Sequence, residues 1–437
     1  MGGGNWVTQN KVRPGVYINF KSQDIGSLLG NRGIVAMPLD LNWGAEQTVI
    51  EITKDTDTLP LFGHILANIV GLREALKRAT KVLAYRLNAN TGVKANVTTG
   101  NLVATAKYSG TRGNDLDIVI ISEGAGAFTV ETYLGTTLVD SQSGAETVAD
   151  LVNNNYVTFS GSGVLVATAG VSLASGTNAS VVAGDHSNFR TAIEPYQWNV
   201  LALQGVTDSA IKSAYKLFIA DLRDNQGFKV QMVVENYSAA DYEGVISVKN
   251  GVILADGTTL TAKDCVAWVA GATAKAGTNE SLTYDAYDDA IDVDTRYTNA
   301  QIISALESGE FLFVGKDNKA RVEYDINTLV TFTVDKNDSF RKNRVIRALD
   351  GFANDSLKTA ESYVIGKVNN NDDGRNVYKT MLIKYIDEKV ANGTFTDFDA
   401  STDLEILAGT SIDSILVNAS LKPSDSMDKI FMTVSIN

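Results

Sequence analysis

The chain has 437 residues, 44% of them hydrophobic and 20% charged, a composition that excludes a disordered protein and suits roughly two to four folded domains. Its 38 basic and 51 acidic residues leave a net charge of −13, which argues against nucleic acid as the main partner, because phosphate binding needs basic surface. The one cysteine, Cys265 in "CVAWVA", excludes an intrachain disulfide and reads as a small buried hydrophobe suited to a reducing cytoplasm.

The N-terminal "MGGGNWVTQNK" has no apolar secretion core, and Trp6 stands where a myristoylation signal needs Ser or Thr. No run approaches the length of a membrane span. "RPGVYINF" then predicts a short strand, with Val16, Ile18 and Phe20 alternating against Tyr17 and Asn19. In "LPLFGHILANIVGLREALKRA" the spacing of Leu61, Ile65, Ile69, Leu72 and Leu76 predicts one amphipathic helix, with Lys77, Arg78 and Lys81 towards its C-terminal end. "KVLAYRL" follows as a strand.

Composition shifts near residue 93. Up to residue 183 the chain is rich in Gly, Ser, Thr, Ala, Asn and Val, and the short runs "LDIVII", "AFTVETYL" and "NYVTFSG" predict an all-β insertion. Residues 96–183 carry 2 basic against 7 acidic residues, and residues 184–335 carry 12 against 22, whereas both ends are comparatively basic. From "PYQWNVLALQGV" the pattern alternates strand and helix, with a helix face of Ile211, Tyr215, Phe218, Ile219 and Leu222 and a strand at "FKVQMVVEN". Thr261 with Asp264, and Thr298 with Gln301, predict capping boxes opening two further helices, the second ended by Gly309. Such alternation favours an α/β layer with a partly parallel sheet.

The last hundred residues predict two helices and a strand. In "SFRKNRVIRALDGFA", Val345, Ile346, Leu349 and Phe352 share one side, and Arg341, Arg344 and Arg347 fall within roughly 120° on the other. In "DSMDKIFMTVSIN", Ile430, Met432, Val434 and Ile436 alternate with Phe431, Thr433 and Ser435, which is strand periodicity. The expected architecture is an α+β multidomain chain: an N-terminal arm and α/β segment (1–92), a β-sandwich-like insertion (93–183), a central α/β domain (184–335), and a C-terminal α/β domain (336–437) packed with the N-terminal segment.

Catalytic constellations are thin. The two histidines, His64 and His186, read as a packed or capped residue of the apolar helix and a loop residue of "GDHSNF". "GATAKAGTNES" lacks the lysine of a phosphate loop. The acids of "YDAYDDAIDVD" lack calcium-loop spacing and read as a solvated face, and "NNNDDG" reads as a turn. No metal, cofactor or catalytic residue is assigned. Two apolar strands left open near the termini are the stronger signal, because natural proteins cover or charge an edge that recruits another chain.

"NKVRPGVYINF", "AKYSGTRGNDLDIVI", "VEYDINTLVTFT" with "FRKNRVIRALD", and "PSDSMDKIFMTVSI" together resemble the tail sheath proteins of contractile-tailed bacteriophages, most closely the defective-prophage type of Gram-positive bacteria. The resemblance implies a non-enzymatic structural protein, without cofactor, that stacks as six-membered rings around a tail tube and contracts to drive the tube through a cell envelope. It implies a subtilisin-like central domain without a protease site, and partners in further copies of the chain, the tube, the baseplate and the tail terminator, with neither nucleic acid nor membrane insertion. Assembly would take place in the host cytoplasm, and the product would be a virion tail or a phage-tail-like particle, bacteriocins included. Carried onto this sequence, the strands given to neighbours are Val16, Tyr17, Ile18 and Phe20, and Ile430, Phe431, Met432, Val434 and Ile436. Arg341, Arg344 and Arg347 become candidates for gripping the tube. A hydrolase built on the subtilisin-like region and a surface adhesin remain as alternatives.

Overall fold

The structure is a computed structural model that describes residues 2–4, 15–17, 32–88 and 91–436. Strands β1 (Ile34–Leu39), β2 (Val49–Ile52), β3 (Lys81–Arg86), β4 (Val200–Leu203), β5 (Gln231–Glu235), β6 (Val245–Val248) and β7 (Glu310–Phe311) form one sheet in the order β7-β6-β5-β4-β1-β3-β2. Neighbours are parallel except β2, which runs antiparallel to β3 at the edge. Helices α1 (Val70–Arg78), α2 (Ala183–Ile193), α3 (Ser209–Asp224) and α4 (Ala262–Lys275) cover both faces.

The strands are near-continuous apolar runs because both faces are buried. Val35 and Met37 of β1, Val82 and Ala84 of β3, and Val200 and Ala202 of β4 pack with Leu72 and Leu76 of α1 and with Trp268 of α4. The alternate residues Ala36, Leu83, Tyr85, Leu201 and Leu203 pack with Phe189 of α2 and with Tyr215, Ile219 and Leu222 of α3. A Cβ at Gly271 of α4 would lie 2.3 Å from the carbonyl oxygen of Ala75, so the close crossing of α1 and α4 requires glycine there.

This sheet corrects two expectations. Residues 34–86 supply three strands of the sheet, so most of the described N-terminal α/β segment belongs to the central layer, while Arg32, just before it, is buried close to Arg347, Asp350 and Asp355 of the C-terminal domain. Moreover, the single helix expected over residues 59–79 is broken. Gly63 takes a left-handed φ of 69° that ends a four-residue turn of helix at Phe62, and α1 begins only at Val70. His64 therefore sits in a connection.

Residues 96–172 form a four-stranded and a three-stranded antiparallel sheet around one core, which includes Leu102, Ile118, Val130 and Val157. Trp43, from the loop after β1, is buried in that core and meets Tyr108 edge-on at 5.4 Å between centroids. Both capping boxes form. Asp264 accepts from the Thr261 backbone at 2.9 Å, and Gln301, in α5 (Asn299–Glu307), accepts from the Thr298 backbone at 2.9 Å. The hairpin β8 (Phe313–Lys316) and β9 (Lys319–Val322) follows.

The remaining chain builds α6 (Asn343–Thr359), α7 (Asp372–Ala391) and the antiparallel pair β10 (Leu404–Ala408) and β11 (Ile415–Ala419). Their shared core includes Ala348, Tyr378, Leu382, Ile386, Phe395 and Leu404. "NNNDDG" opens α7, with Asn371 as its N-cap accepting from Gly374 N at 2.9 Å.

Candidate assembly surfaces

The arginine side of α6 faces the central layer. Arg347 is 2% exposed and donates from Nη2 to Asp325 at 2.6 Å and to the Glu280 carbonyl at 2.7 Å. Asn343 donates to the other oxygen of Asp325 at 2.8 Å. One turn along, Arg223 of α3 holds Asp350 through two bonds of 2.6 and 2.9 Å. Burial pulls the Arg223 pKa down, but Asp350 more than offsets it and the net shift is upward. Arg32, buried close to Arg347, is pushed down to about 10 by burial first and by that like charge second.

These contacts take Arg347 out of the expected arginine stripe. Arg347 lies between two layers and has no surface to offer a tube. Arg341 belongs to a separate short helical turn, residues 338–341, and burial lowers its pKa. Arg344 is half-buried, with Nη2 3.5 Å from the Gly393 carbonyl oxygen. The helix is covered on both sides, apolar contacts on one and ion pairs on the other.

Beside them lies a residue that periodicity did not single out. Lys342, at the N-cap of α6, bonds Asp428, stands 3.0 Å from Asp425 and lies over the Tyr324 ring at 4.5 Å. Burial lowers its pKa, but the hydrogen bonds with Asp428, Tyr324 and Asp425 raise it on balance. The segment at 425–428 is thus fastened to the start of α6, and no side-chain bond is formed beyond it among the described residues. Ile430 is 77% exposed, Met432 80%, Val434 75% and Ile436 95%, with Phe431 equally open at 93%. None of them lies in a strand, contrary to the periodicity, because a strand needs a paired backbone and this one has no partner among the described residues. At the other end, Val16 and Tyr17 belong to a three-residue strand, Gly15–Tyr17, parallel to Gly2–Gly4, while Ile18 and Phe20 lie outside the described residues.

Chemistry, if present, would sit at the topological switch point, where β1 and β4 send their connections in opposite directions. A cavity of about 610 Å³ opens there, lined by Asp40, His64, His186, Gln204 and Lys263 among others. His64 Nε2 lies 2.9 Å from Asn42 Oδ1, and His186, buried on α2 rather than in a loop, has Nδ1 3.0 Å from the Tyr215 hydroxyl. Burial lowers both imidazoles and raises Asp40. Among the described residues the lining contains no Ser, Thr or Cys, so a subtilisin-type acyl transfer has no hydroxyl or thiol nucleophile there. Cys265 is fully buried, and burial pushes its thiol well up. The acidic run is partly spent on ion pairs, Arg78 with Asp285 and Asp288 and Arg296 with Asp292, and no cluster able to hold a metal occurs among the described residues.

Comparison with known proteins identifies the family to which this arrangement belongs. Four family profiles match: "Tail sheath protein Gp18 domain III N-terminal region" over residues 32–87, "Phage tail sheath protein beta-sandwich domain" over 90–178, "Phage tail sheath protein central domain" over 179–328, and "Phage tail sheath C-terminal domain" over 335–437. The phage-like element PBSX protein XkdK of Bacillus subtilis is 36% identical over the full length of both chains. The crystal structure of a sheath tail protein from Desulfitobacterium hafniense is similar at 47% identity and a TM-score of 0.88, covering 97% of this chain and 100% of that one. The helical sheath of the anti-feeding prophage in its contracted state shares the fold at 12% identity and a TM-score of 0.58, covering 98% and 100%. The chain belongs to the phage tail sheath protein family, in its prophage type, and is a structural sheath subunit.

Proposed function

We propose that the protein polymerises as six-membered rings stacked around a tail tube, on a baseplate and below a terminator, and contracts to drive the tube through a cell envelope. Assembly takes place in the host cytoplasm, and the product is a tail or tail-like particle. The central layer, read as a non-catalytic relative of the subtilisin arrangement, acts as scaffold, without cofactor. Proteins of similar fold support this: the anti-feeding prophage sheath has been solved in a contracted state, and so has the sheath complex of an extracellular contractile injection system. A cavity whose described lining has no Ser, Thr or Cys does not favour a subtilisin-type hydrolase, and no observation favours an adhesin.

The observation that carries the proposal is the segment beyond the Lys342 clamp. Apolar residues at every second position stand in solvent, which a stable monomer has no reason to keep. The chain also supplies an acceptor: among the described residues β10 and β11 pair only with each other, and the cross-strand pair Leu407 and Leu416 is 42% and 51% exposed. Residues 429–436 of one copy add a strand to this pair in a neighbour, with the alternating side chains setting register. Residues 15–20 supply the second arm. Donor and acceptor surfaces differ, so addition continues instead of closing into a dimer.

Deleting residues 429–437 from the full chain should abolish polymers seen by electron microscopy and sedimentation while leaving the far-ultraviolet circular dichroism unchanged. A Met432→Asp/Val434→Asp variant, which keeps the arm length, should behave alike. Polymers of normal length from both variants would refute the arm.

A further inference from the structure

Tyr284 stands in a backbone conformation that bulky side chains avoid, with φ of 61°, and yet its ring is 51% exposed. Strain of this kind persists only where surrounding bonds impose it. Here they do: Tyr284 N donates to Val322 O at 2.8 Å, Val322 N donates to Asp285 O at 2.9 Å, and Arg321 Nη1 donates to the Tyr284 carbonyl at 3.0 Å. The effect is to hold an aromatic ring out from the surface beside β8 and β9. Lys316 lies 6.0 Å from its centroid, and Lys316 pairs with Lys319 across the hairpin turn.

The charge around the ring is unspent. Lys316, Lys319 and Arg321 make no ion pair among the described residues. The acids at hand are Asp317 in the turn, the half-buried Glu323, whose carboxyl burial raises, and Asp285 and Asp292, which are already paired with Arg78 and Arg296. An exposed Tyr flanked by Arg and Lys has the composition of a binding hot spot. The complementary surface is in the same chain. Residues 90–178 carry Lys94, Lys107 and Arg112 against seven acids. Of those acids only Asp115 is ion-paired, to Arg112 at 2.8 Å, and Glu123, Glu146 and Asp150 are exposed.

We propose that Tyr284, Lys316, Lys319 and Arg321 form a docking surface for the acidic β-sandwich of a second copy of the chain. The proposal rests on the self-assembly reading and adds to it a contact between globular domains, separate from the strand arms. The two surfaces lie on different domains, so the contact is heterologous and propagates like the arms. Exposed opposite charges also make it sensitive to salt.

The test uses the full-length chain at low salt, measuring the lowest concentration that forms sedimentable polymers. Lys316→Glu/Lys319→Glu should raise it by about tenfold or more, and adding Glu123→Lys/Glu146→Lys to the same chain should restore it to within about threefold. Tyr284→Gly should also raise it, yet leave the melting temperature unchanged or higher, because glycine accepts the left-handed conformation without strain. Wild-type behaviour of the Lys316→Glu/Lys319→Glu variant overturns the docking surface alone. A folded four-site variant that fails to recover overturns the β-sandwich as its partner. A wild-type chain that never polymerises overturns the self-assembly reading and this proposal with it.

Discussion

Replacing Arg347 by Met distinguishes a buried tie from a surface charge more sharply than any other change. In the structure Arg347 and Asp325 have side chains only 2% and 1% exposed and meet at 2.6 Å. Removing one member of a buried pair typically costs about 3–5 kcal/mol, most of it the penalty of leaving the other charge buried. Two features place Arg347→Met near the low end. Asp325 keeps two donors, Asn343 Nδ2 at 2.8 Å and Leu282 N at 3.0 Å, and Arg347 leaves its own Nε and Nη1 without partners. The expected loss is therefore about 3 kcal/mol, and Arg347→Met/Asp325→Asn, which removes the stranded charge, should recover about half of it. A chain of several domains has no single unfolding free energy, so amide hydrogen exchange along α6 is the suitable measurement. Protection there should fall by about 150-fold in the single variant, since each 1.4 kcal/mol is about tenfold. A solvated arginine would cost under about 0.5 kcal/mol. A fall of less than about threefold in protection would refute the buried tie.

Two further outcomes follow from groups whose protonation equilibria the fold displaces. Lys342→Ala should release residues 425–428 to fast exchange without unfolding the central layer, and it should slow polymer growth by giving the arm no fixed exit. With its folded pKa raised above the free value, the clamp's contribution is complete below about pH 10 and is lost only as pH rises through the folded pKa, so it should hold across the neutral range. His64 and His186 have the opposite sign: their folded pKa values are lowered, so the unfolded chain takes up protons first and stability falls as pH drops below about 6.5. The dependence of stability on pH between 7 and 5 should flatten in melting curves of His64→Gln/His186→Gln. An unchanged slope in that variant would refute the assignment.

Period and caps were the legible part of this fold. "LDIVII" and "AFTVETYL" are strands, and Thr261 and Thr298 open helices as their spacing requires, because each signal is settled within a few residues. Ile34–Leu39 escaped notice: a strand buried on both faces shows no alternation, and "IVAMPL" carries no period to read. The helix expected across Gly63 shows the converse fault, apolar spacing continuing through a residue whose backbone turns left-handed. Angular projection placed Arg347 correctly on one side of α6 but could not say what covers that side. Its partner Asp325 lies 22 positions earlier, and a helix covered by ion pairs looks in sequence like a helix covered by water. Lys342 was invisible for the same reason, since its partners Asp425 and Asp428 are more than 80 residues away. The open arm, by contrast, kept its alternation legible because nothing within the chain interrupts it.

The two kinds of contact proposed between copies respond to salt with opposite signs, and this separates them without any mutation. Strand addition by Ile430, Met432, Val434 and Ile436 buries apolar surface and forms backbone hydrogen bonds, neither of which salt screens. Copies carrying a net charge of −13 also repel one another, so for arms alone added salt should promote assembly. Docking of Lys316, Lys319 and Arg321 on an acidic β-sandwich is an attraction between exposed charges, and it weakens as the screening length falls from about 10 Å at 0.1 M to about 3 Å at 1 M. If both operate, growth rises with salt at first, as repulsion is screened, and declines once the local attraction is screened as well. The decline should vanish in Lys316→Glu/Lys319→Glu, where only repulsion is left to screen, and removal of residues 429–437 should abolish growth at every salt concentration. A monotonic rise in the wild-type chain would leave the arms as the sole link and remove the charged surface from the mechanism.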